Sequence, residues 1–481
     1  MARNPMLTFV TTGREMPLKR EPDERCGDYR EVYAEFADQK AREQAGRCSQ
    51  CGVPFCQTHC PLLNNIPDWL RMVASGRLSE AYDLAQETNS FPEICGRICP
   101  QDRLCEGNCV IEQAGHKTVT IGAVEKYITD QAWQKGWVKQ IEPLAERKET
   151  VAIIGSGPAG LAAADRLRRA GVQVSIYDRA DRAGGLMTYG IPSFKLEKHV
   201  VARRVEQLEA GGVRFILNTE IGRDISFEAL RETHDAVLIA TGVYKSRDLA
   251  CPGSGLNGIV RAIDYLAASN HMNFGDDPDP AGNLSASGKR VVVIGGGDTA
   301  MDCVRTAIRQ GAISVKCLYR RDRENMPGSR RETRNAEEEG VDFVWLAAPR
   351  AFVGGEKTSG GAVTGVRVAR MRLGAPDASG RQSPEEIEDA DYTEDADLVI
   401  KALGFEPEDL RSNWQVPQME VTDWGTVKTD IQTCRTSIEN VFAAGDIVRG
   451  ASLVVWAIKD GRNAADTILS DFAKADATAA Q

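Results

Sequence analysis

The chain has 481 residues, of which 42% are hydrophobic and 27% are charged, and its formal net charge is −10. This length and composition predict two to four ordinary globular domains. The acidic balance argues against general binding to nucleic acids or anionic lipid, and neither a secretory signal nor an apolar run of ~20 residues is evident, so we expect a cytoplasmic protein.

The N-terminal part of the sequence, up to about residue 140, differs in composition and pattern from the rest. Residues 1–40 are polar and are typical of an arm, whereas residues 41–140 contain helical stretches such as IPDWLRMVASGRLSEAYDLAQ. Eight of the 13 cysteines fall between Cys48 and Cys109. In a long acidic chain without a signal peptide, such a block favours metal binding over disulfides.

Two strand–turn–helix–strand units follow a linker at PLAERKE. The first begins at VAIIG from Val151, and the second covers residues 290–320, with a turn-rich segment between them. The end of the chain returns as strand, loop and helix. We therefore predict an α/β protein with a helical domain at 1–146, a first dinucleotide-binding domain at 147–286 and 406–481, and a second dinucleotide-binding domain, inserted in the first, at 287–405.

The cysteine block contains two groups of four. They read Cys48-x2-Cys51-x4-Cys56-x3-Cys60-Pro and Cys95-x3-Cys99-Pro-x4-Cys105-x3-Cys109. Four-thiolate sites hold zinc or iron–sulfur clusters, and the two Cys-Pro pairs favour two clusters of the [4Fe–4S] type. In two-cluster ferredoxins the cysteine before proline ligates the other cluster, so Cys60 is expected to leave its group and Cys109 to replace it.

The first glycine loop follows the strand VAII and opens a helix, which is the context required of a dinucleotide-binding turn. Its predicted cofactor-binding residues are Gly155, Gly157, Pro158, Ala159 and Gly160. Asp178 ends the second strand of this unit. A carboxylate there bonds a ribose 2′-hydroxyl and repels a 2′-phosphate, so this loop is predicted to bind FAD or NAD rather than NADP.

The second glycine loop differs at the corresponding strand end. Its predicted contacts are Gly295, Gly297, Asp298, Thr299 and Ala300, and the strand ends in Arg320 and Arg321 instead of a carboxylate. Two guanidiniums suit a 2′-phosphate by charge and by bidentate geometry, which predicts NADPH; the alternative is a solvated basic edge.

One loop is predicted to favour a free ribose 2′-hydroxyl and the other a ribose 2′-phosphate, which implies two different dinucleotides in one chain. A nicotinamide gives up two electrons together and an iron–sulfur cluster accepts one, so a flavin is the natural converter. In this scheme no side chain acts as a general acid or base, and Asp298 and Glu332 are expected to position the nicotinamide.

With these features, the chain resembles the small (β) subunits of bacterial NADPH-dependent glutamate synthases over nearly its whole length. The resemblance is carried by CGVPFCQTHCPLLNNIPDW, NSFPEICGRICPQDRLCEGNC, GSGPAGLAAADRL, GGLMTYGIPSFKL, GGGDTAMDC, YRRDRENMPGSRRE and VFAAGDIVRG. Similar modules occur in dihydropyrimidine dehydrogenase and in electron-bifurcating transhydrogenases.

The resemblance implies further FAD-contacting residues and one unusual cluster ligand. Matching positions for FAD are Gly184, Gly185, Leu186, Ala240, Thr241, Gly242, Gly445 and Asp446. In relatives such as dihydropyrimidine dehydrogenase one cluster takes a non-cysteine ligand. The matching residue is Glu125, with Cys95 then a bystander thiol; Cys95 itself is the alternative ligand.

The resemblance also implies a partner. A large (α) glutamate synthase subunit carrying FMN would receive the electrons in a hetero-oligomer and form two L-glutamate from 2-oxoglutarate and glutamine. The alternatives are an NADPH-oxidising subunit of another complex, such as an electron-bifurcating transhydrogenase, and a regulatory subunit with degenerate cofactor sites.

Overall fold

A computed structural model describes residues 5–277, 279, 282–354, 361–377, 380 and 382–479. The predicted helical domain begins at residue 1 and the predicted first dinucleotide-binding domain ends at residue 481. Residues 1–4 and 480–481 lie outside the described residues. Residues 5–137, all of them described, form a helical region in which a short 3-10 turn at Pro5–Leu7 precedes nine helices. These are α1 Thr8–Thr11, α2 Pro22–Arg25, α3 Asp38–Ala45, α4 Phe55–Thr58, α5 Ile66–Ala74, α6 Leu78–Thr88, α7 Pro92–Ile98, α8 Val110–Gln113 and α9 Ile121–Gln134.

The helical domain has a core of its own. In α5 the side chains of Ile66, Trp69, Leu70 and Val73 are buried, which is the one-sided spacing of an amphipathic helix. They pack against buried residues of α3, α6 and α9. The helices predicted for IPDWLRMVASGRLSEAYDLAQ are therefore confirmed as α5 and α6.

The first α/β unit is built on a five-stranded parallel sheet. Its elements are β1 Thr150–Ile154, α10 Pro158–Arg169, β2 Gln173–Tyr177, α11 Leu186–Tyr189, α12 Lys198–Ala210, β3 Arg214–Ile216, α13 Phe227–Thr233 and β4 Ala236–Ile239. The fifth strand comes from the end of the chain, after the second unit. This return shows one dinucleotide-binding domain inserted into another, as predicted.

The second unit contains a parallel sheet and an antiparallel one. Its elements are β5 Lys245–Ser246, β6 Ile259–Arg261, α14 Ala262–Asn273, β7 Arg290–Ile294, α15 Asp298–Arg309, β8 Ser314–Tyr319, α16 Arg330–Glu338, β9 Asp342–Trp345, β10 Ala347–Gly354, β11 Val363–Pro376, β12 Gln382–Glu386, β13 Tyr392–Asp395, β14 Leu398–Lys401 and β15 Phe405–Glu406. The chain then closes with α17 Leu410–Asn413, β16 Val441–Ala443, α18 Asp446–Arg449 and α19 Val454–Ala479.

The sheet order fixes where the second unit begins. The parallel sheets run β16-β4-β1-β2-β3 and β6-β14-β7-β8-β9, and β10, β11, β12 and β13 pair antiparallel around β11. Because β6 pairs with β14, the boundary predicted at 286/287 falls inside the second unit and is wrong. The chain passes between the units at the antiparallel pair β5–β15, that is, at residues 245–246 and 405–406.

Within the described part of the chain, no helix combines the length and apolar character that crossing a bilayer requires.

Candidate functional site

The first glycine loop joins β1 to α10 through very close backbone contacts. Gly155 has φ +108°, and a Cβ atom there would lie 2.4 Å from Ala240 O. A Cβ atom on Gly160 would lie 2.0 Å from Gly155 O, whereas one on Gly157 would meet nothing within 4 Å. The outer two glycines thus permit packing against β4 and within the turn, and Gly157 leaves open space for a ligand.

This loop opens on a cavity of about 690 Å³, a volume suited to a cofactor. The cavity is lined by eleven of the residues predicted to contact FAD: Gly155, Gly157, Pro158, Ala159, Asp178, Gly185, Leu186, Ala240, Thr241, Gly242 and Asp446. The predicted Gly160, Gly184 and Gly445 lie behind this lining. Gly445 has φ +79° and directs the chain into α18, which begins with Asp446.

Asp178 follows β2 at the edge of the cavity. One of its carboxylate oxygens accepts hydrogen bonds from Ser156 N at 2.7 Å and Ser156 Oγ at 2.5 Å, and the other accepts from Ala180 N at 2.8 Å. These donors fix the carboxylate beside the glycine loop. A carboxylate fixed there would accept from a ribose hydroxyl and disfavour a 2′-phosphate, so its position is compatible with the predicted role, which stays a prediction.

Two polar groups in the cavity lining suit a bound cofactor. Thr241 Oγ1 is buried and has no hydrogen-bond partner among the described residues. Asp446 accepts from Ser452 Oγ at 2.7 Å, and burial raises the pKa of its carboxyl. Buried polar atoms without protein partners are satisfied by a ligand or by water, and the cavity is therefore chemically fitted for FAD.

Sequence reasoning missed several residues of the same cavity. Arg179, Tyr244 and Trp414 line it, and the Arg179 guanidinium lies 4.8 Å from the centre of the Tyr244 ring and 2.9 Å from Glu408. Arg179 could have been found by its place after Asp178. Tyr244 and Trp414 carry no local motif and reach the cavity only through the tertiary fold.

The second glycine loop, between β7 and α15, is equally close-packed. Gly295 has φ +146°, and a Cβ atom there would lie 2.3 Å from Ala402 O. A Cβ atom on Gly296 would lie 2.4 Å from the Tyr319 ring. Thr299, in the first turn of α15, lines the same 690 Å³ cavity as the first loop. The start of α15 therefore reaches the cavity of the first loop, whose lining does not include the predicted Gly295, Gly297 and Asp298. Ala300 is fully buried beneath the second loop.

Arg320 and Arg321 follow β8 beside the second loop, because the parallel register pairs Ile294 with Leu318. Neither side chain forms an ion pair with any residue that the structure describes, and Arg321 Nε is buried without a partner. Uncompensated guanidiniums next to a glycine loop are fitted for an anionic group such as a 2′-phosphate.

The carboxylates near the second loop have different surroundings. Asp298 Oδ1 accepts a hydrogen bond from Ser329 N at 2.8 Å. Glu332 forms an ion pair with the buried Arg305. Burial raises the pKa of the Glu332 carboxyl, but the positive charges of Arg305, Lys195 and Arg331 outweigh burial and hold that pKa at about 2. Glu332 is thus an ionised structural partner.

Asp302 was not predicted, and it lies at the boundary between the two dinucleotide-binding domains. It lines the shared cavity from α15, and Lys195 of the first domain is 2.7 Å from its Oδ1. Burial raises the pKa of the Asp302 carboxyl to about 6, against the opposing effect of Lys195.

The cysteines fall into two interleaved groups. Cys48, Cys51, Cys56 and Cys109 line one small cavity in the helical domain, which we call the first cysteine site. Burial raises the pKa of the Cys48 thiol to about 11 and that of Cys56 to about 12. The structure thus brings the last cysteine of the block to the first three.

Cys60, Cys99 and Cys105 form the second cysteine site. Burial raises the pKa of Cys60 to about 12, and Cys95 and Glu125 are among the acidic neighbours that raise it further. A hydrogen bond with the Cys95 thiol and burial raise the pKa of Cys99, and burial raises the pKa of Cys105. The charge of Glu125 raises both pKa values further. Both candidate fourth ligands are therefore at this site.

The Glu125 carboxylate is buried and receives only amide donors. Asn64 Nδ2 is 3.0 Å and Asn89 Nδ2 3.5 Å from its Oε1, and burial raises its pKa to about 8. No cation among the described residues pairs with it. A buried carboxyl group without a counter-ion, whose charge raises the pKa values of Cys60, Cys99 and Cys105, is chemically fitted for a cluster iron.

The spacing of the thiols distinguishes a cluster from zinc. Among the described residues, three ligating atoms come within 4.8 Å of one another only at Asp181, His271 and Asp276. Tetrahedral zinc with bonds of about 2.3 Å needs sulfurs about 3.8 Å apart. Among the described residues no three cysteine sulfurs at either site meet that spacing, which favours a multinuclear cluster over zinc.

Comparisons with known proteins identify two families along the chain. A family model described as dihydropyrimidine dehydrogenase domain II, 4Fe-4S cluster, matches residues 25–137, and the pyridine nucleotide-disulphide oxidoreductase model matches residues 149–461. The glutamate synthase [NADPH] small chain of Azospirillum brasilense is 62% identical over 481 residues, covering 100% of this chain and 98% of that protein.

Two further comparisons agree with this. A putative glutamate synthase [NADPH] small chain of Cereibacter sphaeroides is 69% identical over 82% of this chain and 94% of its own. The solved structure of Mycobacterium tuberculosis FprA in complex with NADPH has a TM-score of 0.57 at 22% identity, covering 69% of this chain and 86% of that one. At that identity the likeness supports the fold only.

Proposed function

The chain belongs to the family of glutamate synthase [NADPH] small chains, and on this premise we propose that it is the electron-input subunit of a glutamate synthase. In this role it oxidises NADPH through FAD, and two [4Fe–4S] clusters pass the electrons to the FMN of a large subunit. There, 2-oxoglutarate and glutamine would give two molecules of L-glutamate.

The observation that carries the proposal is the shared cavity. Thr299 and Asp302 of the second dinucleotide-binding domain line the same cavity as Gly157 and Thr241 of the first. The first glycine loop and the start of the helix that follows the second loop thus face one space. That arrangement supports direct hydride transfer between two bound dinucleotides, because reacting atoms must approach closely.

Each loop has residues suited to hold its own nucleotide. We assign FAD to the first loop, with Asp178 on the ribose and Thr241 and Asp446 as further polar contacts. We assign NADPH to the second loop, with Arg320 and Arg321 on the 2′-phosphate. FAD, when bound, supplies the exchange between two-electron and one-electron chemistry. The side chains bind, orient and exclude water, and none need transfer a proton.

The packing supports an order for the two cysteine sites. Cys60 and Cys99 of the second site pack in the same apolar cluster as Leu161 and Ala457 of the FAD domain. Among the described residues, the first site packs against the core of the helical domain alone, which Cys60 and Cys105 of the second site also contact. We propose that Cys60, Cys99, Cys105 and Glu125 hold the cluster nearer FAD, with Cys95 as a neighbouring thiol. Cys48, Cys51, Cys56 and Cys109 would then hold the outer cluster.

Large hydrophobic side chains are exposed next to the outer cluster. Phe55 and Val110 line the first cysteine site and Val53 lies between Cys51 and Cys56, and we call these three the apolar rim: Val53 (61%), Phe55 (41%) and Val110 (36%). Exposed apolar groups beside an electron exit are typical of a protein-docking surface. The rim therefore supports docking of the large subunit at the outer cluster.

The cofactor content tests this assignment in the isolated protein. The purified chain should contain about eight iron atoms and one FAD, and NADPH should bleach the flavin absorbance while NADH does so poorly. About four iron atoms, or equal reduction by the two nucleotides, would contradict the assignment. A transhydrogenase subunit would pass this test too, and only the partner separates the two functions.

A further inference from the structure

The start of α16 is fastened to the second glycine loop. Ser329 N donates to the Asp298 carboxylate, and Gly328 N donates to Gly296 O, each at 2.8 Å. A Cβ atom on Gly328 would lie 3.0 Å from that same carbonyl oxygen. A nucleotide that contacts this loop therefore acts directly on the first turn of α16.

The same turn reaches the helical domain through one side chain. The Arg331 guanidinium donates from Nη1 to Gln101 Oε1 at 2.9 Å and from Nη2 to Arg97 O at 3.4 Å. In the opposite direction, Arg103 of the helical domain donates to Pro327 O. Residues 327–331 are thus held between the second glycine loop and the helical domain.

Gln101 is the centre of the turn that carries Cys99 and Cys105. Its side-chain nitrogen donates to Cys95 O at 3.3 Å, and its carbonyl accepts from Glu106 N at 2.9 Å. The residue is 4% exposed. A displacement of Gln101 therefore moves the backbone that holds two thiols of the second cysteine site.

We propose that the Arg331–Gln101 contact couples nucleotide occupancy at the second glycine loop to the reduction potential of the cluster at the second cysteine site. The inference rests on the proposed function, because it requires that cluster and that nucleotide. Hydrogen bonds and net charge around a cluster set its potential, and the Arg331 guanidinium contributes both beside the ligand turn.

The coupling has a direction. Reduction adds negative charge to the cluster, which holds Arg331 more firmly on Gln101 and opposes movement of the α16 start towards an anionic nucleotide. By thermodynamic reciprocity, a bound nucleotide lowers the potential of the cluster, and the reduced cluster weakens nucleotide binding by the same factor. Electron arrival at the cluster then promotes release of the oxidised nucleotide.

The test is a redox titration of the cofactor-loaded protein, followed by electron paramagnetic resonance. The probe is 2′-phospho-ADP-ribose, which keeps the phosphates of NADP⁺ and lacks the redox-active nicotinamide. We expect it to lower the midpoint potential of the second-site cluster in the native protein and to leave that potential unchanged in Arg331→Gln. Its dissociation constant should depend on the cluster redox state in the native protein alone.

Arg330→Gln is the matched control, since it removes the same charge one residue earlier. The Arg330 side chain is exposed and forms no ion pair within the described ranges. This variant should keep the shift, and Gln101→Met, which keeps the arginine, should lose it. The coupling is wrong if 2′-phospho-ADP-ribose shifts the midpoint potential in both Arg331→Gln and Gln101→Met as much as in the native protein, or if it does not shift the potential in the native protein. Either result leaves the proposed function standing. Absence of a cluster signal from the second site in the native protein overturns the proposed function as well.

Discussion

Lys195 Nζ lies 2.7 Å from Asp302 Oδ1, and this ion pair joins the two dinucleotide-binding domains at the wall of their common cavity. Lys195 precedes α12 in the first domain, and Asp302 lies on α15 in the second. Both side chains are largely shielded from water. The pair therefore helps to fix the position of one nucleotide-binding site relative to the other.

The pair predicts a pH dependence of flavin reduction. Burial raises the pKa of Asp302 to about 6, with Glu332 and Asp298 raising it further and Lys195 opposing them. Because the carboxyl is neutral below that pH, its attraction for Lys195 is lost as the pH falls through about 6. We expect the rate of flavin reduction by NADPH to fall in the same range, measured by stopped-flow absorbance.

Asp302→Asn should show no inflection near pH 6, and its rate at pH 8 should be about tenfold below the native rate, the equivalent of one hydrogen bond to a charged group. Glu420→Gln breaks an exposed pair with Lys428 and should keep the native profile. An unchanged inflection in Asp302→Asn would show that another group is responsible.

The unpaired arginines predict the nucleotide preference. Arg320→Ala and Arg321→Ala should each raise the dissociation constant for NADPH by about 10- to 100-fold, because each removes a charge-assisted hydrogen bond to phosphate. Binding of NADH should change little. Arg323→Ala is the control, since that guanidinium already pairs with Glu337 at 2.8 Å. Equal losses for both nucleotides would contradict a 2′-phosphate contact.

The choice between Glu125 and Cys95 is decided by iron content and spectroscopy. Glu125→Ala should lose or convert the cluster at the second cysteine site, because the buried Glu125 carboxyl lies near enough to raise the pKa values of its three thiols. Cys95→Ser should retain about eight iron atoms with native spectra. Loss of a cluster in the cysteine variant alone would make Cys95 the ligand.

The apolar rim predicts the docking site of the large subunit. Phe55→Asp should abolish co-purification with that subunit while leaving flavin reduction by NADPH intact, because the side chain lies on the surface and outside the nucleotide cavity. Ile313→Asp places the same charge at an exposed isoleucine of the second dinucleotide-binding domain and should not affect assembly. Co-purification of the Phe55 variant at native yield would place the interface elsewhere.

The sequence predicts local features of this protein well. Both glycine loops, their flanking strands and the helices around Trp69 follow from short patterns that depend on neighbouring residues. The prediction that the two loops select different ribose groups depends on one strand end each, at Asp178 and at Arg320, and it stays a prediction.

Features that depend on distant contacts were not accessible in this way. The strand β6 has three residues and is defined by pairing with β14, about 140 positions later, so the boundary at 286/287 was misplaced. The Lys195–Asp302 pair and the cavity residues Tyr244 and Trp414 carry no local pattern. The place of Cys109 beside Cys48 was predicted only by analogy with ferredoxins.

Glutamine-dependent oxidation of NADPH by the chain combined with its large subunit tests the central claim most directly. We expect NADPH to be consumed only when 2-oxoglutarate and glutamine are both present, with two molecules of L-glutamate formed for each NADPH. The chain alone should reduce its flavin with NADPH and form no glutamate. A stable complex that oxidises NADPH without any dependence on glutamine and 2-oxoglutarate would contradict a role in glutamate synthase.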